Sequence, residues 1–202
     1  MGYSTAEQSS LLQVAYASIA AGLQTGKPLS VNTAGYPVPL TENRASFVTL
    51  TQDGLLRGCI GSLEACRALV EDVARNAFAA AFRDPRFPPL QQQEFDALDI
   101  HVSVLGTPEP VACASERELL DSLRPGIDGL ILQDQERRGT FLPSVWETLP
   151  QPEDFLNHLK VKAGLPAGYW SESMRVWRYT TESFSAPARL AAGNPDPDLS
   201  AG

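Results

Sequence analysis

The chain of 202 residues is poor in the side chains that most often build metal sites and cross-links, with only 3 Cys and 2 His. The cysteines, Cys59, Cys66 and Cys113, are odd in number and form no Cys-x-x-Cys pair, and only His101 and His158 could add imidazole ligands. This pattern argues against a zinc framework, so we expect no metal and we expect reduced thiols. A functional cysteine in this chain would have to act through its reactivity.

Basic residues are also in deficit, because 16 Lys and Arg stand against 24 Asp and Glu, for a formal net charge of −8. Nonspecific nucleic-acid binding depends on neutralising phosphates, so nucleic acid is the least favoured partner. No apolar run approaches the ~18 residues that a membrane-spanning helix needs. Residues 1–10 lack the basic and apolar segments of a signal peptide. We therefore expect a cytoplasmic protein that does not associate with a membrane.

Familiar reaction motifs are missing as well. The sequence contains no Walker-type phosphate loop, no G-x-S-x-G elbow and no H-E-x-x-H pair. We therefore expect no cofactor, and the sequence does not decide whether the protein is an enzyme.

The chain has the apolar content and the patterning of a globular domain, with 43% hydrophobic and 20% charged residues. Apolar periodicity of about 3.6 residues predicts helices, and alternation predicts strands. Ser, Thr and Pro at helix starts refine the helix boundaries, the first of them from a Thr5/Gln8 capping pattern. The predicted helices cover residues 5–23, 64–82, 115–123 and 152–162, and the predicted strands cover residues 45–51, 55–60, 98–105, 129–133, 139–142 and 174–184.

Several of these strands are joined by turns of a few residues, which requires antiparallel pairing. We therefore predict an α+β fold with a mainly antiparallel or mixed sheet and flanking helices, not a doubly wound parallel sheet. The domain is expected to span residues 1–184. Residues 185–202 are rich in Pro, Gly, Ala and Asp, and we expect them to form a disordered tail.

The segment Gly58-Cys59-Ile60-Gly61 ends one predicted strand. Glycines permit unusual dihedral angles and close approach to the backbone, so a cysteine between them could be exposed. The alternative is that Cys59 is a small buried residue at a tight corner of the sheet. Cys66 and Cys113 are interpreted as packing residues.

Two further residues are candidates for chemistry. His101 is the obvious base, although a single histidine on a strand is more often a packed or surface residue. Arg86 lies among prolines in RDPRFPP, which would fix its backbone and aim its guanidinium at an anion. A structural ion pair between Arg86 and Asp84 or another carboxylate is the alternative.

Eight segments carry a resemblance to a known family and occur in its order: FVTL from Phe47, LRGCIGSLEA from Leu56, DPRFPPL from Asp84, HVSVL from His101, PGIDGLIL from Pro125, GTFLPSVWE from Gly139, LKVKAGL from Leu159 and RYTTESF from Arg178. Together they resemble the AMMECR domain family over essentially the whole chain apart from the tail. The resemblance implies a single α+β domain of two unequal lobes and leaves its chemistry uncharacterised.

Bacterial and archaeal members of that family look like the first component of the AmmeMemoRadiSam system, beside a Memo-like protein and a radical SAM protein. The resemblance therefore implies these two proteins as partners. One departure is Asp128, because other members can carry His in a Gly-x-His-Gly turn. A mechanism that needs an imidazole at this turn is therefore in doubt for this chain.

Our leading hypothesis places Cys59 in a cleft as a nucleophile or as the acceptor of a modification, with Glu64 or His101 moving protons. Its substrate is an unknown small anion. The substrate-binding candidates are Arg57, Gly58, Gly61 and Arg86, where the guanidinium groups would bind the anion and the amides around the glycines would stabilise negative charge. The competing hypothesis is a non-catalytic module that docks the Memo-like or radical SAM protein, with Cys59 in a structural role.

Overall fold

The computed structural model describes residues 2–192, and its elements confirm the predicted α+β fold. The helices are α1 (Thr5–Thr25), α2 (Val38–Thr41), α3 (Leu69–Phe82), α4 (Gln92–Phe95), α5 (Glu116–Ser122), α6 (Pro152–Lys162) and α7 (Ala188–Ala191). The strands are β1 (Ser46–Gln52), β2 (Leu55–Gly61), β3 (Leu98–Leu105), β4 (Glu109–Pro110), β5 (Gly129–Asp134), β6 (Arg137–Phe141), β7 (Arg175–Tyr179) and β8 (Thr181–Pro187). Within the described residues, no helix combines the length and the apolar character needed to cross a membrane.

The chain divides into two compact units, each built on a four-stranded sheet. Within the described residues, the first unit comprises 2–105 with 182–192, and its strand order is β2-β1-β3-β8. The second unit comprises 106–181, and its strand order is β4-β7-β5-β6. Strand β2 is thus an edge strand of the first sheet, and β1 pairs with both β2 and β3 in antiparallel ladders.

The first sheet has one buried face and one partly exposed face, as alternation along β3 predicts. Val48 and Leu50 of β1 are fully buried, whereas Thr49 between them is only partly buried. The buried face joins helices α1 and α3 in one apolar core, whose largest members include Leu11, Ile19, Leu40, Leu50, Leu69, Leu98 and Ile100. The opposite face is therefore the one from which polar side chains can reach solvent.

Two helix starts differ from the sequence prediction. Ser4, not Thr5, caps α1, because Ser4 Oγ accepts the Glu7 N–H and the Glu7 carboxylate accepts the Ser4 N–H. Helix α3 begins at Leu69, not near residue 64. The segment before α3 is not helical. The N–H of Arg44 donates a hydrogen bond to the carbonyl oxygen of Arg67 and ties this segment to the residues before β1.

The single strand predicted for residues 174–184 is two strands in different sheets. Strand β7 belongs to the second unit and β8 to the first, with Thr180 between them. The tail predicted from Ser185 is also wrong in its first part, because β8 runs to Pro187 and α7 follows it. Ala188 and Ala191 pack into the first core, a contact that composition does not reveal. The remaining residues of the predicted tail, 193–202, lie outside the described part of the chain.

The second unit packs its sheet against α5 and α6 over a separate apolar core that includes Leu130, Trp146 and Phe155. Asp128 is fully buried at the turn before β5 and accepts hydrogen bonds from the backbone and guanidinium of Arg124 at 2.6–3.0 Å. Asp128 therefore has a structural ion pair in this chain.

Gly58 gives the fold a direct test, because a β-carbon there would lie 2.1 Å from the carbonyl oxygen of Ala80 in α3. We expect Gly58→Ala to lower the free energy of unfolding by about 1–3 kcal/mol, the usual cost of overpacking. Gly35→Ala is the matched control, because no atom of residues 2–192 beyond its chain neighbours lies within 4 Å of the position that its added β-carbon would take. Urea unfolding measures both variants, and equal stabilities would contradict this packing.

Candidate functional site

The register of the first sheet places Cys59, Thr49 and His101 in one row. Thr49 is paired with Cys59 in the β1–β2 ladder and with His101 in the β1–β3 ladder. Directly paired residues share a face, so all three side chains lie on the partly exposed face. Two strand spacings separate Cys59 and His101, which puts their Cα atoms about 10 Å apart.

Thr49 is the neighbour of the thiol. Its hydroxyl donates a hydrogen bond to Cys59 Sγ at 3.1 Å, and Cys59 itself is partly buried. Thr51 is the corresponding neighbour of the imidazole, with Oγ1 3.1 Å from His101 Nε2. Each of the two candidate catalytic groups thus has its own threonine. Within residues 2–192 we find no hydrogen bond between the thiol and the imidazole.

The backbone of Cys59 is held at the outer edge of β2 by the motif that follows α3. The Cys59 N–H donates to Asp84 Oδ2 at 2.9 Å, and the Cys59 carbonyl oxygen accepts from Arg86 Nη2 at 3.3 Å. Arg86 also donates to both oxygens of the Asp84 carboxylate, at 2.9 and 2.7 Å. We call this arrangement the edge clamp. It commits the Cys59 amide to Asp84, so that amide does not stabilise negative charge on a substrate.

The electrostatics of the edge clamp are set by its hydrogen bonds. Asp84 is 4% exposed, whereas the Arg86 side chain is 53% exposed. Hydrogen bonds from the Arg86 guanidinium, together with those from the backbone, hold the pKa of the Asp84 carboxyl well below its usual range. The hydrogen bonds from its guanidinium to Asp84 raise the pKa of Arg86. The ion pair considered as the alternative role of Arg86 is therefore present, and Arg86 still reaches solvent.

Arg57 also lies at this edge and has a carboxylate partner of its own. It is the extra residue of β2 at the register shift, because Leu50 pairs with Gly58 and Thr51 pairs with Leu56. Its Nε and Nη2 donate to the two oxygens of Glu94 at 2.7 and 3.1 Å. These hydrogen bonds lower the pKa of the Glu94 carboxyl. The guanidinium carbons of Arg57 and Arg86 lie 5.9 and 5.6 Å from the centre of the Phe87 ring.

The other predicted site residues, Gly58, Gly61 and Glu64, do not form a catalytic cluster with Cys59. Gly58 is buried against α3, and Gly61 lies where a β-carbon would meet the Phe47 ring at 2.2 Å. Both glycines thus have packing roles. Glu64 lies on the exposed segment after β2, with Oε2 4.0 Å from Cys66 Sγ. Cys66 is exposed on the same segment, so its interpretation as a packing residue is wrong.

The arrangement supports chemistry at sulfur and gives no donor set for a metal. Among the described residues there is no group of three or more His, Cys, Asp and Glu side chains that could hold a metal ion. What the site offers is a partly exposed thiol, a hydroxyl directed at it and a half-exposed guanidinium bound to its backbone.

Sequence reasoning missed Thr49 and Thr51 and did not foresee that Asp84 binds the backbone of Cys59. Alternation places Thr49 and Thr51 on the polar face of their strand. The residues that they oppose depend on strand register, which the sequence does not show.

Comparison with known proteins identifies the family to which the chain belongs. The family model AMMECR1 matches residues 12–184. A protein of Methanothermobacter thermautotrophicus is 36% identical over 88% of this chain and 93% of its own length. A protein of Methanocaldococcus jannaschii is 36% identical over 79% of this chain and 80% of its own length. The crystal structure of the uncharacterized protein PH0010 from Pyrococcus horikoshii superposes with a TM-score of 0.79 at 35% identity, covering 87% of this chain and 89% of that one.

The edge clamp predicts a pH-dependent loss of stability in Asp84→Asn. We expect the variant to lose about 1–3 kcal/mol of unfolding free energy at neutral pH, since a charged acceptor for Cys59 and Arg86 is removed. Because the pKa of Asp84 is depressed in the folded state, its stabilisation is complete above the unfolded pKa of about 3.9 and is lost as the pH falls through the lower folded value.

The difference between the wild type and Asp84→Asn should therefore stay constant above about pH 5 and shrink below about pH 4. Asp121→Asn is the matched control, because its ion pair with Arg117 has side chains that are 66% and 85% exposed. Such a pair is worth about 0–1 kcal/mol. Urea unfolding from pH 3 to 8 distinguishes the two variants, and equal losses would contradict a special role for Asp84.

Proposed function

Because the chain belongs to the AMMECR1 family, we propose that it is a cytoplasmic component of an AmmeMemoRadiSam-type system that uses Cys59 as a nucleophile or as the acceptor of a modification. A Memo-like protein and a radical SAM protein are its proposed partners. The observation that carries the proposal is the hydrogen bond from the Thr49 hydroxyl to Cys59 Sγ.

A hydroxyl proton directed at sulfur stabilises the negative charge of a thiolate, which is the nucleophilic form of cysteine. The edge clamp adds rigidity, because both backbone polar groups of Cys59 are bound. A nucleophile with a fixed backbone reacts without first being ordered. These features support Cys59 over Cys66, which is exposed and is flanked by the carboxylate of Glu64, and over Cys113, whose pKa is raised by burial.

Arg86 is the proposed contact for an anionic group of the substrate. Its Nε and Nη2 bind Asp84 and the Cys59 carbonyl oxygen, and its side chain is half-exposed. The remaining amino group can therefore donate to a ligand beside the thiol. Arg57 supports the site from the edge strand, with its charge paired to Glu94. In this proposal His101 exchanges protons with the thiol through water, not by direct contact, because its threonine partner is Thr51 and not Thr49.

A second function, docking without catalysis, is favoured by a different observation. Gly58, Gly61 and Arg86 each have a structural explanation in packing or in the edge clamp. The same strand begins with Leu55 and Leu56, which are 73% and 43% exposed. A protein partner that covers these side chains would remove apolar surface from water. In this function Cys59 has only a structural role in the edge strand.

Alkylation of single-cysteine variants tests the reactive thiol. Iodoacetamide forms a bond between carbon and Sγ, releases iodide and leaves the thiol proton with the buffer. Cys66→Ser/Cys113→Ser retains only Cys59, and Cys59→Ser/Cys113→Ser retains the exposed Cys66 as an internal reference. We expect Cys59 to label several times faster than Cys66 at pH 7, as measured by mass spectrometry over time.

Thr49→Val in the Cys59-only background should slow the labelling about fivefold, the rate equivalent of a hydrogen bond of about 1 kcal/mol. Thr51→Val is the control, because its hydroxyl contacts His101 and not the thiol. Labelling of Cys59 that is no faster than that of Cys66, or that requires unfolding in urea, would rule out the reactive thiol.

The docking function has its own signature. If docking is the function, Cys59→Ser retains binding to the Memo-like or radical SAM protein in co-purification, whereas Leu55→Asp/Leu56→Asp loses it. Retained binding by the double aspartate variant would count against this surface.

A further inference from the structure

The second unit contains a cavity that the chemistry around Cys59 does not use. Its volume is about 270 Å³, and its walls are Gln133, Gln135, Ser173 and Arg175. Gln133 and Arg175 are partners in the β5–β7 ladder, so their side chains leave the same face. Gln135, Ser173 and Arg175 are exposed, which makes the cavity reachable from solvent. A space of this volume accommodates a small metabolite.

Arg175 supplies positive charge to the cavity. Within residues 2–192 no hydrogen bond or ion pair engages its guanidinium, and no carboxylate is among the lining residues. A guanidinium presents its N–H donors as a planar fork that matches the two oxygens of a carboxylate. This wall of the cavity is therefore suited to an anionic group.

Ser173 supplies an acceptor, because its proton is already committed. Its hydroxyl donates to Asp134 Oδ1 at 2.6 Å, and Tyr169 and Ser171 donate to the same carboxylate at 2.8 and 3.0 Å. These hydrogen bonds, of which the one from Ser173 has the largest effect, lower the pKa of the Asp134 carboxyl, which stays ionised and accepts all three hydrogen bonds. Ser173 Oγ also lies 3.1 Å from Ser171 Oγ, which leaves one lone pair for a donor from another molecule.

Gln133 supplies a second acceptor. Its Nε2 donates to the Gln135 carbonyl oxygen at 3.3 Å, which orients the side-chain amide and leaves Oε1 for another donor. The turn that brings Gln135 to the wall is fixed by a positive φ of 53° at that residue. The lining thus combines one cation with two neutral acceptors.

We propose that this cavity binds a small carboxylic acid that carries neighbouring hydroxyl groups. The carboxylate pairs with the Arg175 guanidinium, and the hydroxyls donate to Ser173 Oγ and Gln133 Oε1. A neutral polyol lacks the charge for Arg175, and an alkyl acid leaves both acceptors without donors. Each of these analogues should therefore bind with lower affinity. This site is independent of the function proposed for Cys59.

The test is an NMR titration of the ¹⁵N-labelled full chain with L-threonate, with threitol as the neutral match and butyrate as the match without hydroxyls. Sodium chloride keeps the ionic strength equal. We expect L-threonate to shift the amide signals of Gln133, Gln135 and Ser173 saturably, with a dissociation constant of about 1 mM. Threitol and butyrate should bind about tenfold more weakly.

Matched variants separate the charge from the acceptors. Arg175→Gln should weaken L-threonate binding about tenfold, whereas Arg117→Gln, an exposed arginine on α5, should leave it unchanged. Gln133→Leu should reduce the affinity for L-threonate toward that for butyrate without changing butyrate binding. Absence of a saturable shift, or equal affinities in Arg175→Gln and Arg117→Gln, would overturn the proposal. Equal binding of butyrate and L-threonate to the wild type would overturn the role of the acceptors.

Discussion

One buried carboxylate, that of Asp84, organises the edge of the first sheet. It accepts the N–H of Cys59 and orients Arg86, which in turn donates to the Cys59 carbonyl oxygen. Among the described strands, β2 has a neighbour on one side only, and an open strand edge can pair with other chains. By satisfying both polar groups of Cys59, the edge clamp closes this part of the edge. The LRGCIG and DPRFPP segments therefore form one structural unit, in which Asp84 and Arg86 bind the backbone of Cys59.

This constraint also limits the chemistry that the site can perform. The charges of Arg57 and Arg86 are largely balanced by Glu94 and Asp84, so the site is not a cluster of free cations. What distinguishes Cys59 is its fixed backbone and the hydroxyl directed at its sulfur. These two features define the surroundings of the thiol, and Arg86 beside it is already hydrogen-bonded on one side.

The sequence predicted those elements well that have strong local signals. Pro152 marks the first residue of α6, and Gln52-Asp53-Gly54 marks the turn between β1 and β2, with positive φ at Asp53 and Gly54. Prediction failed where a distant contact overrides a local pattern. Continuous alternation around Thr180 hides a change of sheet, and alanine-rich sequence after Ser185 hides a short helix that packs into the core.

The sequence by itself determined the types of most elements, the polar face that carries His101 and the identity of the one cysteine with a specific motif around it. The tertiary structure decided which residues meet. Register placed Thr49 between Cys59 and His101, and folding brought Asp84 to a backbone 25 positions away in the chain. The reason is physical, because periodicity reports only neighbours within one strand or helical turn. Contacts between strands and loops depend on the packing of the whole core, which no single stretch of residues encodes.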